Sequence, residues 1–131
     1  MPGASRRLRM TPQRQVVLDV LRASHDHPTA TAVYERARQR YPGIAYATIY
    51  NTLNALVGAG LVRQLPMGEA AARYEYRTDE HAHALCRQCG ALVDLDVAWP
   101  GDAVARAAAE RGFSIEAVEV QVHGRCRSCR S

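Results

Sequence analysis

Four cysteines in a chain of 131 residues stand as two Cys-x-x-Cys pairs, Cys86-Arg87-Gln88-Cys89 and Cys126-Arg127-Ser128-Cys129. Each pair offers two thiolates from one knuckle. Gly90, directly after the first, lets the chain turn tightly beneath an ion. Two converging knuckles place four sulfurs in a tetrahedron, the geometry preferred by structural Zn²⁺. Thiol redox chemistry is the competing use, but it calls for a pair that opens a helix after a strand, and neither pair is so placed. A zinc ion here ties the C-terminal tail back onto the preceding strands, and its binding free energy is part of the folding free energy of that lobe.

A second set of donors is less specific. His81-Ala82-His83 puts two imidazoles on one face of an extended segment, because alternate side chains of a strand point the same way. Glu75 lies just upstream and Asp94 just downstream of the first knuckle. Histidines with carboxylates suit a borderline divalent ion such as Fe²⁺, Mn²⁺, Zn²⁺ or Ni²⁺. Taken singly, Glu75 also fits a cross-strand partner for an arginine, and Asp94 a solvated strand residue. His25 and His123 have no partner by spacing and read as loop and surface residues. Catalytic arrangements are missing. The chain has no His-Glu-x-x-His, no Ser/His/Asp set, and not the His-x-Glu with Pro-Cys-x-x-Cys of zinc deaminases. All 17 basic residues are arginine, which excludes lysine Schiff-base or P-loop chemistry. The chain reads as a non-enzyme.

These donors need elements to position them. Thr11-Pro12 opens a helix running to about Ala23, with Val16, Val17, Val20 and Leu21 on one face. A second helix spans about 29–40, with Ala30, Val33, Ala37 and Tyr41 inward; Tyr41-Pro42-Gly43 stops it. A third spans Ala47 to Ala59, with Ile49, Leu53, Leu56 and Val57 inward and Gly60 at its end. A strand is expected over Leu61–Leu65, a turn over Pro66–Glu69, and an alternating strand over Arg73–Arg77. Three helices followed by a β-hairpin is the winged helix-turn-helix order. Residues 78–81 read as a hinge. Beyond it come strands over Ala82–Leu85 and Ala91–Leu95, a helix over Gly101–Gly112, and a strand over Phe113–Val122 with a bulge near Ala117. The expected class is α+β: a winged helix over 1–78 and a small α/β lobe carrying the four-cysteine site over 79–131.

Composition supports this division. The chain is 47% apolar, enough for a core, with a net charge of +4. Residues 1–64 hold nine arginines against three acids, and residues 65–131 hold eight against ten. A basic first lobe on an acidic second suggests a polyanion partner for the first. No stretch of 18 uninterrupted apolar residues and no apolar run in the first ten residues lead to an expected cytoplasmic, non-membrane protein.

Several motifs together match a known family: Thr11-Pro12-Gln13-Arg14, His27-Pro28-Thr29-Ala30, Ala47-Thr48-Ile49-Tyr50-Asn51-Thr52-Leu53, Gly60-Leu61-Val62, His81 through Gly90, Asp94, and Gly124 through Cys129. In this order they resemble the ferric uptake regulator (Fur) family of bacterial metal-dependent repressors, over nearly the whole chain from Met10. The resemblance implies a winged helix joined to a dimerisation lobe, a homodimer on a double-stranded DNA operator, and structural zinc on Cys86, Cys89, Cys126 and Cys129. It further implies a regulatory Fe²⁺ or Mn²⁺ on His27, Glu75, His81, His83 and Asp94. The third helix becomes the recognition helix, with Tyr46, Thr48, Tyr50 and Asn51 as base and backbone contacts. Arg14, with Arg6, Arg7 and Arg9, becomes a source of phosphate contacts. The family often has arginine where Asn51 stands, so readout at that position differs. Asp94 and the spacing from Glu75 to His81 resemble the peroxide-sensing branch, in which iron-bound histidine is oxidised. Glu75, where that branch usually has aspartate, resembles the iron or manganese sensors. The readings left open are a peroxide sensor, a manganese- or zinc-uptake regulator, and a zinc-stabilised interaction module.

Overall fold

The computed structural model describes residues 8–79, 81–97 and 101–130. Two compact units divide the chain, Met1–Asp79 and Glu80–Ser131.

In the first unit, α1 (Pro12–Ala23) starts where the sequence says it should. The Thr11 hydroxyl accepts from the Arg14 amide, and proline takes the first turn. α2 (Ala30–Arg40) is capped the same way by Thr29, which accepts from the Ala32 amide. α3 (Tyr46–Gly58) has no side-chain cap, and Gly60, with φ of +76°, follows its end. The three helices bury one face each: Val17, Leu18, Val20 and Leu21 from α1, Val33 and Ala37 from α2, and Ile49, Leu53 and Leu56 from α3. Val16 and Val57, expected inward, are only partly buried at the rim of this core.

β1 (Arg63–Met67) and β2 (Ala70–Glu75) form an antiparallel hairpin. Its turn is tighter than the sequence suggested. Pro66 and Met67 belong to β1, and Gly68-Glu69 alone make the turn, with Gly68 at φ of +63°. Pro66 is tolerated because the register shifts between Leu65 and Met67, which spares the ladder the missing N–H. β2 accordingly starts earlier than expected and ends at Glu75, leaving Tyr76 and Arg77 outside it.

The second unit holds β3 (Ala82–Cys86), β4 (Leu92–Leu95), α4 (Gly101–Glu110) and β5 (Gln121–Gly124), with strand order β4-β3-β5. β3 runs antiparallel to β4 and parallel to β5. The strand expected over Phe113–Val122 is a correction: regular pairing begins only near Val120, whose carbonyl accepts from the His83 amide. Residues 113–119 alternate like a strand but have no ladder beside them among the described residues, so the expected bulge near Ala117 has no sheet to interrupt. Phe113 and Ile115 stay exposed, and α4 buries no side chain. No helix of the described residues is long and apolar enough to cross a membrane.

Candidate metal centres and nucleic-acid face

The antiparallel ladder of β3 and β4 sets Cys86 at a strand end, and Gly90, at φ of +81°, turns the chain back into β4. The β3–β5 pairing ends with Cys86 opposite Gly124, and the Arg87 amide donates to the Gly124 carbonyl. The tail therefore leaves β5 directly beside the first knuckle. All four sulfurs lie within 4.8 Å of one another, and none is in a disulfide. Sulfurs at about 2.3 Å from a tetrahedral Zn²⁺ are about 3.8 Å apart; Cys89 Sγ and Cys126 Sγ are separated by 3.7 Å. Electrostatics agree. The Cys89 and Cys126 amides hold the Cys86 thiol down to about 6. Hydrogen bonding to Cys126 pushes the Cys129 thiol up to about 12. Thiols this close ionise together only if a cation replaces their protons. The donor set fits zinc.

The histidine and carboxylate donors form one group in each unit. In the second unit, register places Asp94 of β4 opposite His83 of β3. Asp94 Oδ1 lies 3.1 Å from His81 Nε2 and 3.4 Å from His83 Nε2, so two imidazoles converge on one carboxylate oxygen. The two rings sit 4.5 Å apart, as the His-x-His spacing requires. In the first unit, His27 Nε2 is 3.2 Å from Glu75 Oε1. All four of His27, Glu75, His81 and His83 are buried, at 3–5% exposure. Shielding this much ionisable chemistry is costly unless charges are matched, and a divalent cation matches it. His25 and His123 are exposed, as spacing alone suggested.

One feature of the first group escaped the sequence. His27 has φ of +54°, the left-handed region, although it is neither glycine nor asparagine and precedes a proline that favours extended backbone. The loop around it is braced. Arg36 makes a bidentate pair with Asp26, at 2.9 and 2.6 Å, and also donates to Ser24 Oγ at 2.9 Å. The hydrogen bonds from Arg36 hold the Asp26 carboxyl below its usual value. A lowered folded-state value stabilises above the ordinary carboxylate range, and the contribution disappears as pH falls through the folded value. With side-chain exposures of 40% and 61%, the pair is solvent-screened. Asp26→Asn is therefore expected to cost no more than about 1 kcal/mol, read as a small shift in thermal midpoint that vanishes in acid.

On α3, Tyr46, Tyr50 and Asn51 are exposed and Thr48 is half-buried. Tyr46 and Tyr50 remain 44% and 48% exposed, unusual for aromatic residues on a helix that buries its other face. Tyr34 of α2 holds Tyr46 in an edge-on ring contact at 5.5 Å. Because Ala45 supplies no cap, the first amides of α3 are left without a side-chain acceptor, and such a terminus favours anions. A cavity of about 180 Å³, lined by Thr29, Thr31, Tyr46, Tyr50 and Gln64 among others, opens beside it. The Arg14 guanidinium donates to the Arg9 carbonyl at 2.9 Å, bracing the segment before α1. Arg6 and Arg7 lie outside the described residues.

The family model described as the ferric uptake regulator family matches residues 5–123. The peroxide-responsive repressor PerR of Staphylococcus saprophyticus is 36% identical over 123 residues, covering 94% of this chain and 83% of that protein. Among solved structures, the Campylobacter jejuni peroxide stress regulator superposes with a TM-score of 0.70 at 30% identity, covering 90% of this chain and 89% of that one. A zinc uptake regulator complexed with zinc and DNA superposes with a TM-score of 0.74 at 25% identity, covering 95% and 85%. These relatives are named as regulators, not enzymes. With the winged helix-turn-helix order, the four-cysteine cluster and the buried histidine–carboxylate groups, they show that the chain belongs to the ferric uptake regulator family.

Proposed function

We propose that this chain is a homodimeric repressor that binds a double-stranded DNA operator in the cytoplasm when a regulatory Fe²⁺ or Mn²⁺ is bound, and that it belongs to the peroxide-responsive branch. The observation that carries the reading is the buried histidine–carboxylate chemistry in a chain whose first unit has winged-helix order. Residues 1–78 act as the DNA-binding domain, and 79–131 as the dimerisation and metal-binding domain. Cys86, Cys89, Cys126 and Cys129 hold structural zinc. His27 and Glu75 from the first unit, with His81, His83 and Asp94 from the second, hold the regulatory ion. A cation held by side chains from both units favours one arrangement of the reading heads, and shifts the equilibrium only by its differential affinity for that arrangement.

Tyr46, Thr48, Tyr50 and Asn51 face DNA from α3, Tyr50 by apolar contact with thymine methyl groups, and Arg14 stands near the phosphates. The second copy docks on the second unit, where Val93, Val97, Val104, Phe113, Ile115 and Val122 leave apolar surface uncovered. Ferrous iron held there would activate peroxide: the O–O bond breaks, one oxygen is added to the ring of His27 or His81, which gives up the two electrons, and the other oxygen leaves as water. Glu75 in place of the branch's usual aspartate favours a second reading, a manganese- or zinc-uptake regulator without that oxidation.

Gel shift of operator DNA by the zinc-loaded protein tests the core of the proposal. Added Mn²⁺ is expected to tighten binding by about 5–150-fold, and identical binding with and without the ion would refute it. Mass spectrometry after Fe²⁺ and peroxide separates the branches: one added oxygen on the His27 or His81 peptide marks the peroxide sensor, and none marks the uptake regulator.

A further inference from the structure

We infer that Arg73 is a positioning residue for the regulatory cation: it pins the His27 backbone in its left-handed conformation and so keeps that imidazole turned toward Glu75. This rests on the reading of His27 as a ligand. Three observations meet at one place. The Arg73 guanidinium donates from Nε to the His27 carbonyl at 2.7 Å and from Nη2 to the Asp26 carbonyl at 2.8 Å. Thr29 and Arg73 form an isolated antiparallel bridge, and the Tyr74 amide donates to the Pro28 carbonyl at 2.9 Å. The residue gripped is the one non-glycine residue with positive φ among those described, at +54°.

The physical argument is one of opposed preferences. A β-carbon disfavours the left-handed region, and a following proline favours extended backbone. Left to itself, residue 27 relaxes toward an extended φ, and the direction of its side chain changes with it. Arg73 opposes this with a planar fork whose donors match two successive carbonyl oxygens, a geometry an ammonium does not supply. Arg73 also stands two residues before Glu75 on β2. One ligand is therefore carried by this strand covalently, and the other is fastened to it through the guanidinium. Both donors of the first unit ride on the second strand of the wing.

The test uses the full-length, zinc-loaded protein, with Mn²⁺ as the affinity probe by electron paramagnetic resonance and Co²⁺ as the ligand-field probe. His27→Ala is the reference for a lost ligand. Arg73→Met keeps the stem and removes every donor. It is expected to weaken Mn²⁺ binding by about 10–100-fold, the range of residues that orient metal ligands. Its Co²⁺ spectrum is expected to move toward that of His27→Ala, because the same donor leaves the ion. Arg73→Lys is expected to fall between Arg73→Met and wild type. A merely structural role leaves folded molecules with the wild-type spectrum. Wild-type affinity and spectrum in Arg73→Met, with binding impaired in His27→Ala, would overturn this inference alone. Unimpaired binding in His27→Ala would overturn the ligand reading and this inference with it. If Arg73→Met does not fold, Arg73→Lys decides: weakened binding supports the clamp, and wild-type binding overturns it.

Discussion

Removing zinc, or replacing Cys126 by serine, is expected to unfold the second unit while the first stays folded. The apolar side chains buried among the described residues of the second unit are Ala82, Cys86 and Leu92. By contrast, a continuous core from α1, α2 and α3 with Val62 and Tyr74 fills the first. α4 contributes no buried residue, and β5 is four residues long. A core so small does not by itself offset the conformational entropy of ordering this unit. The ion supplies what is missing: structural zinc sites in small folds have apparent binding free energies of about 10–16 kcal/mol near neutral pH. Cys126→Ser removes one thiolate and frees the segment after β5, so the β3–β5 pairing loses its anchor. Circular dichroism should show strand signal lost on chelation, and hydrogen exchange should become fast across 82–95 and 121–124. Amides of α1 to α3 should stay protected. The unfolding is then not two-state, and one thermal midpoint does not describe the protein. A single cooperative transition with the same midpoint before and after chelation would contradict the assignment of zinc as the staple.

The contrast between the two units also explains what the sequence made legible. α1 and α2 could be located to within a residue or two because their signals are local: a threonine cap and first-turn proline for α1, the Tyr41-Pro42-Gly43 stop for α2, and apolar residues at helical spacing in both. The clustering of the cysteines was legible for the same reason, since the two thiols of each pair sit within one turn of chain. His81 and His83 share a face through strand periodicity, and Asp94 joins them through the register of one short ladder. Where a decision depends on distant chain, sequence reasoning went astray. Pro66 looked like a turn residue, yet a register shift lets it stay in β1. Phe113–Val122 has the alternation of a strand, but a strand also needs a neighbour, and β3 offers one only from Val120 onward. The left-handed His27 was not legible at all. Its local preferences argue against that conformation, and the grip that maintains it comes from Arg73, 46 residues away.

His83→Ala is expected to abolish the response of DNA binding to metal while leaving the fold and the structural zinc intact. His83 is 4% exposed, opposes Asp94 in the β3–β4 ladder, and sets Nε2 3.4 Å from the Asp94 carboxylate. Alanine removes a donor from the proposed cation and leaves Asp94 with one imidazole where it had two. Loss of a direct ligand should exceed the effect of an orienting residue, so Mn²⁺ affinity is expected to fall by at least about 100-fold. At metal concentrations that saturate the wild type, the variant should bind operator as the metal-free protein does, forfeiting the whole about 5–150-fold gain. His123→Ala is the matched control. It lies on β5 of the same unit but is exposed, and it should keep both metal affinity and DNA response. The pair of variants separates a regulatory ligand from a general effect of histidine loss. A zinc-stabilised interaction module predicts that His83→Ala and His123→Ala behave alike; a metal-gated repressor predicts that only His83→Ala is blind to the ion. Operator gel shifts across a Mn²⁺ titration, with total zinc measured in each sample, decide between them.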